Sequence, residues 1–193
     1  MRTGGERGPE TGGAGTGPAA GGPAALWPWI RRVPDYPVAG VTFLDITPLL
    51  ADGPAFQQAL AALAGAVADL VFDRVLAIEA RGFILGAPLA VRLGKGFIPA
   101  RKPGKLPLAV ARQEYQLEYG QAAIEVHRDA VGPGDRILIV DDVLATGGTS
   151  AAAAALVEQL GGQVAGFAYL IEIGALEGRR RLGDRPVRVV LSA

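Results

Sequence analysis

The chain has 193 residues, half of them hydrophobic, which is enough for one domain with a sizeable core. Its 19 basic and 19 acidic side chains cancel, so no overall field draws it to nucleic acid or to an anionic membrane. It has no cysteine, which excludes disulfides and thiolate metal sites and fits a cytoplasmic protein.

Residues 1–25 are mostly Gly, Ala, Pro and Thr with a few scattered charges. Such a stretch cannot bury enough surface to offset its ordering entropy, so it reads as a disordered tail. It lacks the apolar core of a signal peptide, and no run in the chain approaches the length of a membrane span. Order is expected from residue 26, with Trp27 and Trp29 packing on the domain or on a partner subunit. Residues 26–193 then form a single domain. Asp52 is a plausible helix N-cap, with Pro54 in the first turn. Phe56, Leu60, Leu63, Val67 and Leu70 recur at spacings of four and three, one apolar helix face. Val75 to Ile78 predicts a short buried strand, followed by a helix to about Leu93. Lys95 to Ala100 predicts another strand.

Residues 101–119 form a long connection, beyond the length of an ordinary α/β turn, and such lengths mark functional loops. Ala122 to Val126 resumes as strand. Ile137 to Val140 is apolar without alternation, the pattern of a central parallel strand covered on both faces. A helix from about Gly148 to Leu160 ends at Gly161-Gly162. Ala165 to Ile173 and Val187 to Leu191 read as further strands. Strand alternating with helix gives an α/β fold, a mainly parallel, doubly wound sheet flanked by helices.

The richest segment is Ile137 to Ser150, Ile-Leu-Ile-Val-Asp-Asp-Val-Leu-Ala-Thr-Gly-Gly-Thr-Ser. Asp141 and Asp142 fall at the carboxyl end of a strand, where open α/β sheets place their ligands. The turn Ala145-Thr146-Gly147-Gly148-Thr149 leaves backbone N–H groups free at a helix N-terminus, an arrangement that binds a phosphate dianion. Thr146, Thr149 and Ser150 add hydroxyl donors. Two carboxylates would repel a polyphosphate but suit the vicinal diol of a sugar, so the pattern points to a ribose 5-phosphate. A Walker B strand also ends in acids, but no Gly-x-x-x-x-Gly-Lys-Ser/Thr occurs. A bare strand-turn-helix corner, with Gly there for backbone freedom, is the remaining bland alternative.

A second set of residues suits a diphosphate. Between Lys95 and Gln113 stand five basic residues and no acid: Lys95, Arg101, Lys102, Lys105 and Arg112. On a neutral protein that local asymmetry is informative. Arg81 lies in the first turn after Ile78, where a guanidinium and free N–H groups converge on one anion. Arg81, Lys102 and Lys105 are therefore candidates for a pyrophosphate site.

The Ile137–Ser150 segment resembles the phosphoribosyl-diphosphate (PRPP) signature of the type I phosphoribosyltransferases. Four more segments resemble adenine phosphoribosyltransferase: Asp35-Tyr36-Pro37 with Gly40-Val41-Thr42-Phe43, Glu79-Ala80-Arg81-Gly82-Phe83, Arg101-Lys102-Pro103-Gly104-Lys105-Leu106-Pro107, and Leu117-Glu118-Tyr119-Gly120. Their order and spacing match across roughly Val33 to Ile173. The resemblance implies that Phe43 stacks on the purine, with backbone groups of Val41 to Leu44 reading its edge. It implies that Glu118 sits on a mobile loop, a hood over the site, and hydrogen-bonds or protonates the base at N7, with Tyr119 helping to close the site. Asp141 and Asp142 would hold the ribose hydroxyls, Ala145 to Thr149 the 5′-phosphate, and Arg81, Lys102 and Lys105 the pyrophosphate. Mg²⁺ would bridge the pyrophosphate oxygens, bound mainly through PRPP rather than by a protein ligand. The substrates implied are adenine and PRPP, with AMP and pyrophosphate as products, and family members are usually homodimers. Leu44 stands where the family usually has Arg, and Ala39 where it usually has Pro.

Two other functions remain open at this level. One is the same chemistry on another purine, xanthine or hypoxanthine. The other is a non-catalytic regulator that senses PRPP, which would normally add a DNA-binding helical domain or a basic face; residues 1–35 supply neither. Arg179-Arg180-Arg181 reads as a solvated basic face. Glu125 and His127, the only histidine, share a strand face but lack a third metal ligand. The peptide at Glu79–Ala80, at a strand end, is expected to have unusual geometry, of which a cis bond is one form.

Overall fold

The computed structural model describes residues 22–116 and 120–193. Its centre is a five-stranded parallel sheet in the order β4-β3-β7-β8-β9. These strands are β3 (Arg74–Ile78), β4 (Gly96–Ala100), β7 (Arg136–Leu144), β8 (Gln163–Glu172) and β9 (Val187–Ser192). Alternate side chains of one strand point to opposite faces, and both faces are apolar here. Val75, Ala77, Leu138 and Val140 enter one core; Leu76, Ile78, Ile137 and Ile139 enter the other. A strand buried on both sides has no use for polar alternation, which is why these stretches are uninterrupted runs.

Helices α2 (Gly53–Ala66) and α3 (Arg81–Arg92) cover the first face, and α4 (Gly148–Gln159) covers the second. The doubly wound reading holds. Asp52 caps α2, its Oδ1 accepting from the Ala55 N–H at 2.8 Å. The deepest stripe of α2 is Ala55, Ala59 and Leu63, continued by Val67 just past its end, while Phe56, Leu60 and Leu70 are only partly buried. Ala55 and Ala59 are small, so the first turns of the helix can approach the core closely.

The expectation for residues 101–119 needs correction. Val110–Gln116 is a strand, β5, paired antiparallel with β6 (Gln121–His127). Its largely polar sequence, Val-Ala-Arg-Gln-Glu-Tyr-Gln, is held by ladder hydrogen bonds rather than by burial, so hydrophobic periodicity does not reveal it. A further ribbon pairs β1 (Arg31–Val33) with β2 (Phe43–Asp45), and a short helix, α1 (Thr47–Ala51), precedes α2. The 3-10 helix Pro23–Trp29 takes in residues 23–25, which composition assigns to the tail. Fully buried Leu26 anchors that helix. The rest of the expected tail, residues 1–21, lies outside the described residues.

In chain order the five sheet strands run second, first, third, fourth, fifth across the sheet. The order therefore reverses between β3 and β7. In open α/β sheets, ligands enter the crevice beyond the carboxyl ends of the strands at such a reversal.

Candidate active site

The strand pairing shows how the two carboxylates are exposed to that crevice. β7 pairs with β3 only as far as Val140, opposite Ala77, but continues against β8 to Leu144. Asp141 and Asp142 are thus held on one side and open on the other. The Asp141 Oδ1 accepts from the Asp142 N–H at 2.9 Å. Burial, and then the neighbouring Asp142 carboxylate, raise the Asp141 carboxyl well above the usual range. Asp142 is buried and holds the Nε–H of Arg81 across the reversal.

Arg81 opens α3 directly after the Glu79–Ala80 peptide, which is cis, the geometry expected from sequence. The helix can start this close to β7 because residue 82 is Gly: a Cβ there would lie 2.9 Å from both Asp141 Oδ1 and the Val140 carbonyl. The Arg81 guanidinium also lies over the Phe43 ring, 5.3 Å from its centroid. Candidate diol carboxylate, candidate pyrophosphate cation and candidate base-stacking ring therefore form one contiguous group.

Phe43 meets Tyr36 edge-on, the centroids 5.4 Å apart. The preceding turn is closed by the Asp35 carboxylate, which accepts from the Gly40 N–H at 2.8 Å. Val41 is exposed beside it. Leu44 is different: its side chain is buried, in the core that α2 and the 3-10 helix also enter. As alternation along β2 requires, it points away from Phe43. Only its backbone is left to face a base, and the expectation for Val41 to Leu44 asks for no more.

The cradle Ala145–Ser150 encloses a small cavity of about 70 Å³ together with Asp141, Val143 and Leu144. Gly147 caps α4 in the left-handed region, φ 78°, a conformation that favours glycine. A Cβ on Gly147 would lie 2.4 Å from the Gly178 carbonyl oxygen. The first-turn N–H groups of α4 have no partner within the helix, so they can serve an anion.

The basic turn after β4 is clamped at both ends by carboxylates. Glu79 accepts from the Lys102 N–H at 2.9 Å and from the Arg101 Nε–H at 3.2 Å. The Lys102 backbone bond, followed by Arg101, holds its carboxyl below the usual range. Glu125, buried, accepts from the Gly104 N–H at 3.0 Å. Glu125 is thus spent on this turn, and His127 Nε2 hydrogen-bonds the Pro107 carbonyl at 2.7 Å. Neither clamp could be read from sequence, since each joins residues more than 20 positions apart. Lys102 lines a cavity of about 600 Å³ with Arg112, Glu114, Tyr115 and Gln121. Lys105 is exposed, its carbonyl accepting from Arg101 Nη1 at 3.1 Å. Glu118 and Tyr119 lie outside the described residues. The flanking rung, Gln116 opposite Gln121, closes the described part of the hairpin.

A family model for the phosphoribosyl transferase domain matches residues 49–189. The chain is 53% identical over 164 residues to the adenine phosphoribosyltransferase of Pseudothermotoga lettingae, covering 85% of this chain and 96% of that protein. The chain belongs to the adenine phosphoribosyltransferase family. Another adenine phosphoribosyltransferase, from Rubrobacter xylanophilus, is 58% identical over 153 residues, covering 79% of this chain and 83% of its own. The crystal structure of the Thermoanaerobacter pseudethanolicus adenine phosphoribosyltransferase superposes with a TM-score of 0.87 at 48% identity, over 89% of this chain and 99% of that one. The Saccharomyces cerevisiae adenine phosphoribosyltransferase, solved with an imino-altritol bisphosphate and adenine, superposes with a TM-score of 0.82 at 36% identity, over 88% and 98%.

Proposed function

We propose that this protein transfers the 5-phosphoribosyl group of PRPP to adenine, forming AMP and pyrophosphate in purine salvage. The observation that carries the reading is the end of β7: two adjacent carboxylates, followed directly by the Gly-rich turn that opens α4, stand where the strand order reverses among the described strands. In the reaction the bond from the ribose anomeric carbon to pyrophosphate breaks and a bond to the purine nitrogen forms. The sugar passes through cationic, oxocarbenium-like character, as in glycoside cleavage. The protein's work is positioning and charge neutralisation.

In this reading Asp141 and Asp142 hold the ribose hydroxyls, and Ala145 to Thr149 take the 5′-phosphate. Arg81, Lys102 and Lys105 take the pyrophosphate, and Phe43 stacks on the base with backbone groups of Val41 to Leu44 at its edge. Glu118 hydrogen-bonds or protonates N7, and Tyr119 helps close a mobile hood that keeps water from the activated sugar. The carboxylates of Asp141 and Asp142 are hard oxygen donors that suit Mg²⁺ beside a ribosyl diphosphate, although among the described residues no three acidic or histidine side chains cluster. Mg²⁺, held mainly through PRPP, would neutralise the departing pyrophosphate. The enzyme would work as a cytoplasmic homodimer; among the described residues no helix is long and apolar enough to cross a membrane.

The test is pyrophosphate release from PRPP and Mg²⁺ with adenine, hypoxanthine, guanine, xanthine and uracil supplied separately. Release with adenine is expected, and Glu118→Gln should lower turnover more than PRPP affinity. Release only with another base would overturn the substrate. PRPP binding without release on any base would mark a PRPP sensor.

A further inference from the structure

The basic run Arg179–Arg181 lies in the 3-10 helix Gly178–Leu182, and two of its three cations are already paired. Arg179 holds Glu172 through bonds of 2.6 and 2.8 Å, and Arg180 holds Glu177 at 2.7 Å. Arg185, a little further on, is paired with Glu158 at 2.5 Å. Arg181 is the exception. Among the described residues it has no hydrogen bond or ion pair, yet its guanidinium lies against the phosphate cradle. Its Nη1 is 3.3 Å from the position a Cβ on Gly148 would occupy, and its own Cβ is 3.4 Å from that on Gly147.

Packing fixes this placement. Leu182 is fully buried and anchors the segment. A Cβ on Gly178 would stand 2.2 Å from the Ala145 carbonyl oxygen, and one on Gly147 would stand 2.4 Å from the Gly178 carbonyl. Paired glycines thus bring the segment against the cradle backbone more closely than side chains would allow. Arg181, three residues past that contact, is carried to the start of α4.

We propose that Arg181 binds the 5′-phosphate of the ribosyl substrate and of the nucleotide product, from an element outside the signature. The inference rests on the cradle reading above. The cradle shares its cavity with Asp141, so a phosphate dianion there settles beside an acidic side chain. Backbone N–H groups offer partial charges only, and Arg81 is engaged by Asp142. A guanidinium at the start of α4 supplies the missing full charge, with a planar fork suited to phosphate. The side chain is exposed, so solvent screening moderates its effect.

The experiment is calorimetric AMP binding by the wild-type protein, Arg181→Gln, Arg181→Lys and Arg180→Gln at two salt concentrations. Arg181→Gln should weaken AMP about tenfold, close to 1.4 kcal/mol, and flatten the salt dependence. Arg181→Lys should recover most of the affinity, and Arg180→Gln should match the wild type. Wild-type affinity in Arg181→Gln would overturn the proposal. So would an Arg181→Lys variant as weak as Arg181→Gln with an unchanged salt slope, which would mean packing rather than charge. A wild-type protein that does not bind AMP would instead sink the cradle reading itself, and the role of Arg181 with it.

Discussion

Asp142 shows how much one side chain can be asked to do. It is buried, and it is held by a cation drawn from the opposite side of the sheet reversal, 61 residues away. Asp142→Asn removes the charge without changing the shape. It should weaken PRPP by about 1.5–3 kcal/mol, the worth of a charged hydrogen bond, read as a rise in the PRPP dissociation constant. An unchanged constant would remove Asp142 from diol binding. At this scale the sequence was a good guide where the chemistry is local: Asp141, Asp142 and the Thr-Gly-Gly-Thr turn are neighbours along the chain. The direction of the Leu44 side chain was not legible, since it depends on which face β2 turns to the core. Nor was a partner legible for Arg81, Glu79 or Glu125, because those pairs are made only when the chain folds.

Among the elements, the junction of β7 and α4 carries the strictest backbone demand. Gly147 combines a positive φ with a near contact to Gly178. Gly147→Ala places a side chain in the left-handed region at a cost of about 1–3 kcal/mol, and adds a clash with a carbonyl that cannot swing away. Thermal melting and AMP binding should both fall. Gly104→Ala is the matched control: its φ is also positive, 74°, but nothing lies within 4 Å of the added carbon. Equal behaviour of the two variants would show that the close approach is unimportant. The buried strands and α2 to α4 were legible because each carries an apolar run or an apolar helical repeat. β5 was not, since polar side chains on a paired ribbon look like loop, and α1 is too short to show a period.

For the molecule as a whole, the outer face of α3 stands out. Ile84 and Val91, one helical face apart by seven residues, are 42% and 82% exposed, and Phe97 on the adjacent edge strand is 37% exposed. Apolar groups exposed on an outer helix face can take part in association surfaces, and a formal charge of zero offers no repulsion against self-association. A homodimer joined through this face is the expected assembly. Sedimentation should show a dimer for the wild type and a shift toward monomer for Val91→Glu; a monomeric wild type would refute the assembly, and a dimeric Val91→Glu would move it to another face.

The ribbon β1–β2 has a consequence of its own. The residues proposed to meet the purine, Val41 to Leu44, lie at the start of β2 and just before it in this two-stranded ribbon, whereas the groups proposed for the sugar and its phosphates come from the main sheet or the elements joined to it. In the proposed site the face of the base is therefore met by the ribbon, with Glu118 reaching N7 from the hood, and the activated sugar by the sheet; ribbon and sheet groups touch where Arg81 covers Phe43. Such a division makes base preference a property that can drift, or be redesigned, by changes confined to the ribbon, while the machinery that grips the ribosyl donor is inherited intact.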